Sequence, residues 1–337
     1  MDHSPILSII VPCFCEEEVL PSTNERLRAL LAGMVTRDDV SGRSCVVYVD
    51  DGSSDATWTL LKGFSEASDS VCAVKLSGNF GHQNAIIAGM ETMLHEADIF
   101  VTIDADLQDD IAAIPKMVTK YKDGYEIVYG VRSKRATDSW FKRTTALGFY
   151  RLMQHLGTKS VFNHADFRLM DRRTVGELLR YPERNLFMRG IVPLLGFKSA
   201  TVEYERSERT AGTTKYPFSK MLSFAVDGIT SFSIRPVRLV LTIGIVFVFI
   251  AIIILAYVLY SKFSGHAVSG WSSMILSMWF IGGCILIGLG IVGEYIGKTY
   301  IEVKGRPRYH IETTTGQLPS QKPVSYTHLT LPTNSLV

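Results

Sequence analysis

Ile99-Phe100-Val101-Thr102-Ile103-Asp104-Ala105-Asp106-Leu107-Gln108 joins an apolar run directly to two carboxylates spaced two residues apart. A short apolar run of this kind, bounded by polar residues, reads as a strand buried on both faces, as in a parallel sheet. The segments around it repeat the pattern. Ile6–Val11, Cys45–Val49, Val71–Leu76 and Glu126–Tyr129 read as further strands. Helical spacing fills the intervals at Glu16–Met34, Asp55–Ser65, Asn84–His95 and Ile111–Tyr121, with Ser53 or Ser54 placed to cap the second of these. Alternation of strand and helix predicts an α/β domain with a Rossmann-like, mostly parallel sheet covered on both faces. In such sheets ligands bind beyond the carboxyl ends of the strands, and the polar motifs fall there.

Asp104 and Asp106 leave one strand end together, where they can share a hard cation. Oxygen ligands suit Mg²⁺ or Mn²⁺, which in turn binds a nucleotide diphosphate. A short Asp-x-Asp pattern also describes a solvated turn. The second acidic strand end, Asp50-Asp51-Gly52-Ser53-Ser54-Asp55, weighs against that reading. Like charges converging in one crevice repel unless a cation or a donor is present. A carboxylate there accepts hydrogen bonds from a base N–H or a ribose hydroxyl, and Gly52 permits close backbone approach. Arg132, in Gly130-Val131-Arg132-Ser133, offers a planar fork for phosphate.

The chain has 337 residues, a net charge of +2 and 47% hydrophobic residues. That charge supplies no field demanding a nucleic-acid partner. The five cysteines, Cys13, Cys15, Cys45, Cys72 and Cys284, form no CxxC pair and read as reduced thiols. Met1–Pro5 is polar and Ile6–Val11 too short for the apolar core of a signal peptide, so the globular part is expected in the cytoplasm.

The apolar excess concentrates toward the C-terminus. Leu239–Tyr260 is 22 residues without a charge, and a second run extends from about Ser272 to Val292. At 1.5 Å per residue each is long enough to cross a hydrocarbon core of about 30 Å. The connection, Ser261–Trp271, is short, so the two spans are expected to form a hairpin. Arg235, Arg238, Lys298, Lys304, Arg306 and Arg308 flank it outside, against Lys262 and His266 in the connection, which places both outer flanks in the cytoplasm. Glu294, at the inner end of the second span, reads equally as a functional group and as a structural ion-pair partner.

Five stretches resemble family 2 glycosyltransferases of GT-A fold: Val11–Glu17, Val49–Asp55, Gly78–Gln83 (Gly-Asn-Phe-Gly-His-Gln), Asp104–Gln108 and Asp166–Arg172 (Asp-Phe-Arg-Leu-Met-Asp-Arg). They are similar in particular to the dolichyl- or undecaprenyl-phosphate sugar synthases, bactoprenol glucosyltransferases among them. The resemblance implies that Pro12, Phe14, Glu16 and Asp51 line the nucleoside pocket. It implies that Asp104, Ala105, Asp106 and Gln108 hold the diphosphate and a metal. It makes Asp166 the carboxylate near the acceptor, as general base or positioning group. Arg209 and Lys215, in Arg209-Thr-Ala-Gly-Thr-Thr-Lys-Tyr216, resemble a family segment that closes over the diphosphate or receives the lipid phosphate. Phe14-Cys15 stands where the family has Tyr-Asn, which bears on nucleotide preference.

The implied reaction is inverting transfer of a hexose from a nucleotide-sugar, UDP-glucose, to undecaprenyl phosphate, for cell-envelope glycan modification. Mannose, aminoarabinose, galactose and N-acetylglucosamine are the alternative sugars, and a non-catalytic membrane scaffold the alternative class. A processive polysaccharide synthase is disfavoured because no QxxRW motif occurs. The expected organisation is a GT-A domain over 1–214, an interfacial amphipathic segment over 215–236, a two-span transmembrane hairpin over 237–297, a cytoplasmic basic tail over 298–318 and a disordered, non-native tail over 319–337. By resemblance the protein is a homo-oligomer, a tetramer, in the bacterial inner membrane, with its catalytic domain and both termini cytoplasmic.

Overall fold

In a computed structural model, residues 4–132, 164–184, 188–205, 235–264 and 270–316 are described. Arg209, Lys215, most of the expected interfacial segment and the expected disordered tail lie outside them.

The central strands are predominantly apolar because they are covered on both sides. β1 (Leu7–Cys13), β2 (Cys45–Asp50) and β4 (Ile99–Thr102) are buried at every position. β3 (Val71–Leu76), β5 (Ile127–Arg132), β6 (His164–Asp171), β7 (Ser199–Tyr204) and β8 (Ile311–Thr315) complete a sheet in the order β7-β5-β6-β4-β1-β2-β3-β8. Within it β1 pairs parallel with β2 and β4, and β2 parallel with β3, whereas β6 runs antiparallel to β4 and β5, and β8 antiparallel to β3. This is a GT-A-like mixed α/β sheet, as expected for the fold class. β8 was not anticipated: it falls within the expected basic tail.

Side chains alternate between two cores, as the two-residue strand period dictates. Leu7, Ile9 and Val11 pack with α1 (Leu20–Thr36) and α4 (Ala113–Lys122), on the face that also carries α2 (Thr57–Ala67). Ile10, Val47 and Val49 pack with α3 (His82–Met93), α5 (Arg172–Leu179) and α6 (Met188–Leu194). The expected serine cap is not there: α2 begins after Ala56, and Asp55 Oδ1 instead accepts the Thr57 N–H at 3.1 Å. Ser53 is committed elsewhere, as described below.

The chain runs β1 to β2 to β3 in one direction and then returns to place β4 on the other side of β1. That reversal is a topological switch point, and the crevice beyond it is where an open α/β sheet binds ligands. Pro12 helps open it. Backbone groups at position 10 face β4, since Ile10 O accepts the Ile103 N–H at 3.1 Å. Position 12 therefore faces the same way, beyond the last paired residues Ile10 and Thr102, where its missing N–H costs no ladder bond.

Two long helices follow, α7 (Arg235–Phe263, 29 residues) and α8 (Trp271–Val303, 33 residues). They touch through Phe247 and Phe280, with ring centroids 5.8 Å apart, and Val240 packs against Gly288. Among the described residues one stretch, Phe280–Val303, is long and apolar enough to cross a membrane by length and composition. It overlaps the run expected at Ser272–Val292 and continues past it to Val303, and the two-span hairpin is not established. Glu294 pairs with Lys298 one turn on, at 3.8 Å, the structural role of the two expected.

Candidate active site

The loops after β1 and β2 are stitched together. Cys13 O accepts the Asp51 N–H at 2.9 Å, Ser53 Oγ accepts the Cys15 N–H at 2.9 Å, and Thr57 Oγ1 accepts the Glu16 N–H at 2.9 Å. This holds Cys15 at φ 55°, an uncommon conformation for a residue with a Cβ, and leaves Phe14 48% exposed at the crevice mouth. Pro12, Phe14, Glu16 and Asp51 thus sit on one edge of the sheet.

Gly52 takes φ 71°, and a Cβ there would meet the Gly78 carbonyl carbon at 2.5 Å. Only a glycine lets the β2 loop come this close to the loop after β3. The approach allows buried Asp51 to accept the Phe80 N–H at 2.7 Å and the Gly81 N–H at 2.8 Å. Burial pushes the Asp51 carboxyl up, and those two amides draw it back. Its neighbour Asp50 accepts the Ser53 N–H at 3.1 Å through Oδ1, while Oδ2 is buried without a partner, and burial raises this carboxyl too.

Asp104, Ala105, Asp106 and Gln108 follow β4. Leu107 between them takes φ 43°, a second strained position at the site. Gln108 donates its side-chain amide to Asp106 Oδ2 at 2.6 Å. Asp104 is half-exposed and lies 3.5 Å from His82 Nε2. Lost hydration raises the Asp104 carboxyl; His82 opposes the rise, and Asp109, Asp166 and Asp106 add to it. Among the described residues no three His, Cys, Asp or Glu side chains are arranged to hold a metal ion. Asp104 and Asp106 nonetheless fit a hard divalent cation: their donors are oxygens, in a cluster of like charges that a cation relieves. Such ions take only one or two protein carboxylates when phosphate oxygens supply the rest.

Because β6 runs antiparallel to β4, its first residues lie beside the end of β4. Thr102 donates its hydroxyl to the Asp166 carbonyl there. Asp166 is gripped by two guanidinium groups. Arg168 Nη2 donates to Oδ1 at 2.7 Å, and Arg189 donates through Nε to Oδ1 at 3.2 Å and through Nη2 to Oδ2 at 2.9 Å. Burial would raise this carboxyl, but Arg168 and Arg189 prevail and hold it well below the usual carboxylate range. Arg132, at the end of β5, contacts Asp109 Oδ1 at 3.4 Å and Tyr204 Oη at 3.2 Å, while Tyr204 donates to Asp109 at 2.6 Å.

The family model Glycosyl transferase family 2 matches residues 8–179, a span containing every one of these strand ends from β1 to β6. The chain belongs to glycosyl transferase family 2. This family 2 enzyme is 51% identical over 308 residues to an uncharacterized glycosyltransferase, YkoT, of Bacillus subtilis, covering 91% of each chain. It is 39% identical to a prophage bactoprenol glucosyl transferase homolog of Escherichia coli K12, covering 91% of this chain and 98% of that one. A bactoprenol glucosyl transferase of Shigella phage SfX is 37% identical over 91% of this chain and 99% of its own. Mannosyl-3-phosphoglycerate synthase of Rubrobacter xylanophilus, a solved structure, has a TM-score of 0.48 at 16% identity, covering 69% of this chain and 74% of that one.

Four residues of this glycosyltransferase's site carried no assigned role in the sequence reading. His82 stood inside the quoted Gly78–Gln83 segment, and its Nε2 lies 3.5 Å from Asp104 Oδ1. Asp109 and Tyr204 form the seat of Arg132, and Arg189 the second grip on Asp166. None of these three belongs to a motif, and only the fold brings them together.

Proposed function

We propose that the protein transfers a hexose, glucose from UDP-glucose, to undecaprenyl phosphate with inversion at the anomeric carbon. The observation that carries this reading is the convergence of Asp104 and Asp166 at the switch point, with guanidinium groups beside the second. A nucleotide-sugar presents a base and ribose, a diphosphate and a sugar in line. The sheet edge presents the nucleoside loops of β1 and β2, then Asp104 and Asp106 on β4, then Asp166 on β6.

In this reading Asp51, Pro12, Phe14 and Glu16 bind the nucleoside, and Ala105 lies along the diphosphate. Asp104 and Asp106, with Gln108 orienting the second, hold Mg²⁺ or Mn²⁺. When bound, that ion supplies Lewis-acid stabilisation of charge on the departing diphosphate. Arg132 meets a phosphate through its fork, and Arg209 and Lys215, outside the described residues, are assigned to the donor diphosphate or to the lipid phosphate. A phosphate oxygen of the acceptor forms the new bond to the anomeric carbon as the bond to the nucleoside diphosphate breaks. Asp166 has no proton to take from a phosphate monoester that is already anionic near neutral pH. Held below the usual range, it acts by fixing the arginines around it, which is the positioning alternative rather than the general base.

The membrane arrangement belongs to the same reading. Residues 237–297 form a two-span hairpin, 215–236 an interfacial segment, and the catalytic domain and both termini face the cytoplasm of a bacterial inner membrane. The protein acts as a homo-oligomer. Purified full-length protein incubated with labelled UDP-glucose, UDP-galactose, UDP-N-acetylglucosamine and GDP-mannose, each with undecaprenyl phosphate and Mg²⁺ or Mn²⁺, tests it. Label in the extracted lipid from UDP-glucose is expected; label from another donor changes the sugar, and none from any donor refutes the reaction.

A further inference from the structure

Along the carboxyl edge, β2, β1, β4, β6 and β5 follow one another, so Asp51, Asp104, Asp166 and Arg132 are met in that sequence. Neighbouring strands lie about 4.8 Å apart. A group beside Asp166 is therefore one strand beyond the carboxylates that face the diphosphate, on the side away from the nucleoside loops. Inverting displacement requires the nucleophile opposite the leaving group, and that is the side on which it must stand.

Arg189 occupies this place. It grips Asp166 through two of its nitrogens, yet its side chain is 45% exposed, whereas Arg168 on the same carboxylate is 0% exposed. The two arginines differ in role accordingly: Arg168 compensates charge within the core, and Arg189 presents charge at the surface of the crevice. Arg132 lies close enough for the two cations to repel, an arrangement that an anion between them relieves. The start of α6 is fixed from both sides. Met188 N–H donates to Gln83 Oε1 at 3.0 Å, and Met188 O accepts from Arg168 Nη1 at 3.4 Å.

The same segment is tied to the candidate membrane helix. The Arg184 N–H donates to the Glu302 carboxylate at 2.8 and 2.9 Å, and Arg184 Nη2 donates to Gly305 O at 3.1 Å. Glu302 is within the apolar stretch Phe280–Val303. The chain that carries Arg189 is thus anchored, five residues earlier at Arg184, to the end of that helix.

We propose that Arg189, oriented by Asp166, binds the phosphate monoester of the lipid acceptor; this rests on the reading that the acceptor is a polyprenyl phosphate. Its guanidinium keeps Asp166 with Nε and Nη2, and its partly exposed side chain brings the positive charge to the phosphate. Planar bidentate geometry makes arginine the suited residue, and lysine cannot reproduce it.

The test titrates full-length protein with geranyl phosphate by calorimetry, for wild type, Arg189→Gln and Arg189→Lys, and with UDP in parallel. Losing a charge-assisted contact predicts a roughly ten- to hundredfold weaker affinity for geranyl phosphate in Arg189→Gln, with UDP affinity unchanged. Arg189→Lys should fall between. In transfer assays the KM for undecaprenyl phosphate should rise while the KM for the sugar donor stays. Unchanged geranyl phosphate affinity, or an equal loss for UDP, overturns the assignment. If Arg189→Gln does not fold, a folded Arg189→Lys with wild-type affinity overturns it equally. Inorganic phosphate binding as tightly as geranyl phosphate refutes the lipid as source. Wild type that binds geranyl phosphate through Arg189 but moves no hexose to undecaprenyl phosphate refutes the proposed reaction and leaves the phosphate site standing.

Discussion

Replacing Asp166 by Asn separates its two duties. Arg168 is 0% exposed and Asp166 13%, at 2.7 Å, so solvent does little to screen the pair. The other acceptors of Arg168 are carbonyls at 3.4 Å, of Asp166 itself and of Met188, too long to carry a full charge. Asparagine keeps the shape and removes the charge, leaving a buried cation uncompensated with Arg189 nearby. Breaking a buried pair this way costs about 3–5 kcal/mol. In a domain of this size each kcal/mol is worth about 2–4 °C, so the apparent melting temperature should fall by about 6–20 °C. Thermal unfolding of wild type, Asp166→Asn and the double variant Asp166→Asn/Arg168→Met by intrinsic fluorescence measures this. The double variant should regain most of the loss, because the orphaned charge is gone, while transfer stays low because Arg189 has lost its anchor. A single variant melting within about 2 °C of wild type, or a double variant no better than the single, refutes the charge-compensation argument.

The same pair fixes a pH dependence. Asp166 is held below its ordinary range, so its contribution is present at neutral pH. That contribution begins to be lost as pH falls through the unfolded-state value near ~4 and is gone below the folded value. Wild type should therefore lose stability between about pH 5 and pH 3 more steeply than Asp166→Asn. Parallel curves would mean that the carboxylate is ordinary.

Gly52→Ala should weaken UDP binding at least about tenfold, because a Cβ at φ 71° meets the Gly78 backbone at 2.5 Å and pushes the Asp51 loop from Phe80; calorimetry with UDP checks it, and unchanged affinity would show the loop free to adjust. Arg132→Gln leaves Asp109, 3% exposed, with the Tyr204 hydroxyl as its side-chain partner among the described residues, and should cost about 1–3 kcal/mol in stability along with about a tenfold loss in kcat/KM; loss of stability alone would confine Arg132 to scaffolding. Chelation with EDTA should abolish transfer, and Mg²⁺ or Mn²⁺ should restore it; transfer that survives chelation removes the cation from Asp104 and Asp106.

Much of the sheet was legible because burial on two faces leaves a nearly continuous apolar run, and Leu7–Cys13, Cys45–Asp50 and Ile99–Thr102 depart from it only at Ser8, Asp50 and Thr102. Asp51 and Asp104 were legible for the same reason: a carboxylate abutting such a run has no interior partner to explain it. The reversal of β6 was not, since Asp166–Asp171 carries no local sign of strand direction, and that reversal is what sets Asp166 beside Asp104. Arg189 was invisible because its partner is 23 residues away in sequence. The serine cap failed through competition: Ser53 had a second N–H within reach, that of Cys15, and the β1 loop claimed it.

β8 was hidden by distance, and its position carries a consequence for the whole molecule. Without it β3 would be an open edge, the hazard that sheets cover, and Ile311-Glu-Thr-Thr-Thr315 supplies the β-branched residues to pair there. Residues from the last turn of α8 into β8 contact loops on both sides of the sheet's switch point. On the acceptor side Glu302 takes the Arg184 N–H, and Arg308 donates to the Tyr181 carbonyl. On the nucleoside side His310 O accepts the Ser77 N–H at 2.9 Å, and its ring lies 6.1 Å from that of Phe80, whose amide binds Asp51. One segment of chain, from the last turn of α8 into β8, thus braces the loops after β3 and α5. The strand after the long apolar helix is for this reason coupled to both loops, and cutting the chain before it would loosen Asp51 and Arg184 together.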